Sequence, residues 1–100
     1  MTNFDIKDGY IYFVHDKNNF TLFKIGESKN PENKLKILQK THWLSLCIYK
    51  TIHTKDCIKI VKALHKRFES KHILDGWFKI SENEIDRVCK EIMWITIIST

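Results

Sequence analysis

Proline and glycine are scarce in this chain: one proline, Pro31, and three glycines, Gly9, Gly26 and Gly76. That leaves no room for a flexible linker or a Pro/Gly-rich low-complexity tract. The three cysteines, Cys47, Cys57 and Cys89, form no C-x-x-C pair. Five histidines, His15, His42, His53, His65 and His72, are spread out, with the wrong spacing for the known zinc arrangements. An odd thiol count, with no apolar signal core in the opening residues, predicts reduced cysteines and an intracellular setting. Long apolar runs are missing too. The longest, Ile92–Ile98, is far too short to span a bilayer, so no membrane partner is expected.

What remains is ordinary globular material. A chain of 100 residues, 43% hydrophobic and 29% charged, predicts one domain over 1–100 with a real core and little surplus stability. The formal charge is +5, and 15 of the 17 basic residues are lysine. That balance favours an anionic partner, although scattered lysines also serve as a solvated surface.

Tyr10–Val14 is β-branched and aromatic and reads as a strand. The turn residues Asp16–Asn19 lead to a second strand, Thr21–Ile25, closed by Gly26, so the pair predicts an antiparallel hairpin. Asn30-Pro31-Glu32 is a helix start: Asn caps, Pro fits the first helical position, and Glu favours the positive end of the dipole. This helix carries Leu35 and Leu38 inward and ends near Lys40. Leu44–Ile52 alternates and reads as a third strand. Thr54 is the expected cap of a second helix, on which Cys57, Val61, Leu64 and Phe68 form one apolar stripe. Gly76-Trp77-Phe78 is a short extended piece, with Trp77 and Phe78 as a core plug behind the last helix. Ser81–Glu84 is a capping box for a third helix, buried through Ile85, Val88, Cys89 and Ile92. The order β-β-α-β-α-α predicts an α+β fold, a small antiparallel three-stranded sheet flanked by helices, with its core over 9–92 and an apolar tail over 93–100.

Gly9-Tyr10-Ile11-Tyr12, then Lys24-Ile25-Gly26, then Asn30-Pro31-Glu32-Asn33-Lys34-Leu35 form an ordered set. With Ala63–Phe68 and Gly76-Trp77-Phe78, this set resembles the GIY-YIG nuclease superfamily. It is most similar to the branch of phages and large DNA viruses, which carries Lys-Ile-Gly as its second motif. The resemblance implies roles. Tyr12 matches the tyrosine that activates water, Lys24 the residue that assists it, and Lys34 the arginine that grips the scissile phosphate. His65 lies in the helix motif, near the implied pocket. The glutamate that binds the divalent metal in the family falls, by its offset from Leu64, on Val61.

The chemistry explains why the last match matters. A phosphodiester is already anionic, so its hydrolysis needs a cation where charge builds up and a base for the water. Mg²⁺ supplies the first and takes carboxylate oxygen and water as ligands. Without a carboxylate the metal is lost, and with it most of the activation of Tyr12. Lysine at position 34 keeps the charge and loses the bidentate fork. The expectation is therefore a catalytically impaired, DNA-binding domain with no metal cofactor. Its binding residues would be Lys24, Lys34 and His65. One alternative is a working Mg²⁺-dependent endonuclease that takes its carboxylate from Asp75 or Glu27. Another is a protein-interaction module or homo-oligomer, which would use Trp94, Ile95, Ile97 and Ile98. Plain packing of Tyr10 and Tyr12, and a solvated helix face for Lys34, Lys36 and Lys40, are the simpler readings. Trp43 has no evident partner.

Overall fold

A computed structural model describes residues 8–98, with side chains through residue 95. The order is β1 (Gly9–Asp16), β2 (Asn19–Ser28), α1 (Pro31–Thr41), β3 (Leu46–Thr54), α2 (Cys57–Arg67), a single 3-10 turn (Glu69–Lys71), β4 (His72–Leu74), β5 (Trp77–Lys79) and α3 (Glu82–Ile98). The class is α+β as expected. The sheet, however, has five strands in the order β3-β1-β2-β5-β4, antiparallel throughout, where three were expected.

The two added strands form a hairpin across Asp75 and Gly76, both at positive φ (46° and 80°). A two-residue turn of that kind matches the twist of its strands, and Asp-Gly is the pair that adopts it most easily. The hairpin docks on the edge of β2, with Lys24 opposite Trp77 and Leu22 opposite Lys79.

β1 is an interior strand covered on both faces, which is why its sequence is apolar at successive positions. Ile11 and Phe13 face a large core with Phe23, Ile25 and Phe78, closed by α2 and α3. Tyr12 and Val14 face a smaller cluster with Leu46 and Trp77, closed by Leu35 and Leu38 of α1. Trp77 and Phe78 therefore do not form one plug. As neighbours on a strand they point to opposite faces, Phe78 toward α3 and Trp77 beneath α1.

The α1 start is as read: the Asn30 side chain accepts from the Asn33 N–H, and Pro31 is the first helical residue. The capping box forms as well, with Ser81 Oγ accepting from the Glu84 N–H at 3.2 Å. Three boundaries differ. Gly26 does not end the second strand, which runs on to Ser28. The third strand starts at Leu46, because the Gln39 side chain holds the Leu44 carbonyl and the Leu46 N–H in the loop before it. Thr54 does not cap α2: it is paired with Gly9 at the end of β3, and Asp56 takes the cap position. The tail from Met93 continues α3, with Met93, Trp94 and Ile95 exposed. The side chains of Ile97 and Ile98 lie outside the described residues. Among the described residues no helix is long and apolar enough to cross a membrane.

Candidate nucleic-acid interface

β2 is where the sequence-predicted residues meet. Residues alternate across a strand, so Leu22, Lys24 and Gly26 share the α1 face. The register sets Tyr12 opposite Gly26 and Val14 opposite Lys24, which makes Lys24 a diagonal neighbour of Tyr12. The hydroxyl end of the Tyr12 ring lies over Gly26, filling the space a side chain there would take. A glycine inside a strand marks a close approach of this kind.

Lys24 is half-buried. Its ammonium donates to the Asp75 carbonyl and lies 5.8 Å from the centre of the Trp77 ring. Burial lowers its pKa most. The Asp75 charge works against that, and the nearby Lys34 charge adds to it. Lys34 comes from a different element, α1, and its charge is thus felt at Lys24 on β2.

His65 arrives from the other face of the sheet. β5 is short, and just before its start the Gly76 carbonyl takes the Ile25 N–H at 3.1 Å, which leaves the Ile25 carbonyl to a side chain. The His65 Nε2 reaches the Ile25 carbonyl at 2.7 Å. A carbonyl only accepts, so Nε2 carries the proton. A methyl added at Gly76 would lie 3.3 Å from Lys24 Nζ and 3.8 Å from His65 Cε1. The Asp75-Gly76 turn is therefore the point where Lys24 and His65 converge, one from each face.

Tyr12 and Val61 stand apart from that point in character. Burial first, and the Glu27 charge second, push the Tyr12 hydroxyl up to about 12. Val61 is 7% exposed and belongs to the large core with Cys57, Leu64 and Ile25. It sits one helical turn before His65. The carboxylates offered as substitutes are dispersed: Glu27 Oε1 lies 4.0 Å from Cys57 Sγ, while Asp75 is beside Lys24. Among the described residues no three His, Cys, Asp or Glu side chains come together as a metal-binding group.

Residues to which the sequence reading gave no binding role border the site. Trp77 is the floor beneath Lys24, and the His42 ring packs edge-on against it at 5.3 Å. A cavity of about 450 Å³ opens at the start of α1, with Tyr10, Lys29, Ile48 and Thr51 among its walls. The signal for Trp77 was its position after Asp-Gly, since the residue that closes such a turn starts the returning strand.

A family profile, the T5orf172 domain, matches residues 9–93. No curated protein matches the chain, and no solved structure does.

Proposed function

Since the chain belongs to the T5orf172 domain family, a domain associated with nuclease-type phage proteins, we propose that it is a GIY-YIG-like domain that binds nucleic-acid phosphates without cleaving them. The carrying observation is the half-buried Lys24 ammonium held at the Asp75-Gly76 turn over Trp77; burial lowers its pKa most, and the charge of Lys34 on α1 adds to that. Cations placed this way gain from an anion beside them, and a phosphodiester is the anion the family association suggests. His65 and the backbone at Gly76 border the same point.

The case against cleavage rests on two groups. Val61 puts a buried isopropyl group where the resemblance implies a metal-binding carboxylate. Tyr12 is held as the neutral phenol by burial and by Glu27. A catalytic base needs the opposite influence, a neighbouring cation that favours the phenolate.

Fluorescence anisotropy of labelled DNA across a salt series tests this reading. Binding should weaken as salt rises, because displaced counterions drive it. The Lys24→Ala/Lys34→Ala variant should lose affinity alike on unrelated sequences, and the salt slope should fall by about 1 per lysine removed. No binding at about 50 mM salt would discard the reading in favour of a protein-interaction role.

A further inference from the structure

Trp43 is 92% exposed. Single exposed apolar residues are common and need no explanation by themselves. Here the backbone on both sides is held. The Gln39 side-chain amide donates to the carbonyls of His42 and Leu44, and its oxygen accepts from the Leu46 N–H at 2.8 Å. His42 packs on Trp77, the ring that lies under Lys24. The exposed indole is therefore carried on a clamped loop, one residue from the wall of the cation site.

The surroundings are basic. Lys36 and Lys40 are exposed on α1. With Leu35, Gln39 and Leu46 they line a cavity of about 330 Å³ next to the same loop. A flat aromatic surface with an apolar hollow and lysines beside it matches a nucleotide: the ring takes the base and the ammonium groups take the phosphate.

We propose that Trp43 is a stacking platform for an unpaired base, so that the domain prefers single-stranded or locally unpaired nucleic acid to intact duplex. This rests on the phosphate-binding reading above. Bases inside a duplex are already stacked on one another, so an indole gains only where a base is free. The spacing is suitable. From Lys34 to the end of α1 is about 10 Å at 1.5 Å per residue, or about three nucleotides of a stacked strand. A strand whose phosphates lie at Lys24 and Lys34 reaches Trp43 with a base a few positions along.

The test compares a thymidine oligomer with a blunt duplex of equal length, by anisotropy. The proteins are the unmodified chain, Trp43→Ala, Trp43→Phe and Lys24→Ala/Lys34→Ala. Trp43 is exposed, so its variants are expected to fold, and a thermal melt checks this. The oligomer should bind more tightly than the duplex. Trp43→Ala should weaken oligomer binding about 5- to 100-fold and duplex binding by about twofold or less, and Trp43→Phe should restore part of the loss. In a Trp94→Phe background, oligomer should quench the indole emission, and adding Trp43→Phe, which leaves Trp77 as the remaining indole, should remove most of that quenching. Unchanged oligomer affinity in Trp43→Ala, with binding lost in the double lysine variant, would overturn the platform and leave the phosphate-binding reading standing. An emission shift that follows protein concentration instead of oligomer would assign Trp43 to a contact between copies and overturn it too. Absence of binding to either DNA would overturn both.

Discussion

The Tyr12 ring occupies the space above Gly26, so a methyl group at position 26 would collide with the Tyr12 hydroxyl and Cζ. Tyr12 is only 3% exposed and has no open direction in which to swing. Gly26→Ala should therefore destabilise the fold by about 1–3 kcal/mol, the usual range for overpacking. Urea denaturation measures it. Adding Tyr12→Phe should recover only part of the loss, because the ring carbon remains in the way. A neutral Gly26→Ala would mean that the ring does not lie over the glycine.

The same burial fixes the titration of Tyr12. Its hydroxyl ordinarily titrates near 10, and here it is pushed up to about 12. The folded state thus holds this proton more tightly than the unfolded chain does. The resulting stability is fully present below about pH 10 and is lost as the pH rises toward about 12. Ultraviolet titration of tyrosinate, with Tyr12→Phe as the difference, should show no Tyr12 phenolate at neutral pH. A Tyr12 signal at or below the ordinary tyrosine range would contradict this.

Val61→Glu, alone or with Lys34→Arg, separates the core role of this position from a latent metal site. Val61 packs with Cys57, Leu64 and Ile25. A carboxylate there lacks a partner and should cost about 1–3 kcal/mol or more. Thermal melts with and without Mg²⁺ read both outcomes. The expected result is a lower melting temperature that Mg²⁺ does not raise. A specific rise with Mg²⁺ would place Val61 at the pocket wall.

The three thiols should react in order of access. Cys57 and Cys89 are 1% exposed, and burial pushes the Cys89 thiol up to about 11. Cys47 is half-buried at the β3 edge, with its sulfur 3.3 Å from His15 Nε2. A thiol reagent should label Cys47 first and reach the other two only on unfolding. Mass spectrometry after a short pulse reads the order directly. Early labelling of Cys57 or Cys89 would show that the inner faces of α2 and α3 are misassigned.

The elements legible in the sequence were those whose signals are local. The first hairpin showed in its β-branched and aromatic residues and the turn between them, β3 in its alternation, α1 in Asn30-Pro31, α2 in its stripe, and α3 in Ser81–Glu84. Gly26 was read as a strand end because glycine usually breaks a strand. Its actual reason, the ring of Tyr12 on the neighbouring strand, exists only once β1 and β2 are paired. The β4–β5 hairpin was missed although Leu74-Asp75-Gly76-Trp77 carries a turn signal, because its strands have only three residues each. Thr54 and Asp56 both suit a cap, and pairing with Gly9 decided between them. At the site, Lys24 and His65 share no stretch of sequence. Only the shortness of β5, which opens the Ile25 carbonyl to α2, brings them to Gly76.

Binding without cleavage can be read on one gel. Labelled single-stranded and branched DNA are incubated with the unmodified protein, with and without Mg²⁺ or Mn²⁺, and split between native and denaturing lanes. Retarded DNA in low salt is expected in the native lanes and intact strands in every denaturing lane, with no dependence on metal. Metal-dependent cleavage that disappears in Tyr12→Phe would contradict it and establish a working nuclease.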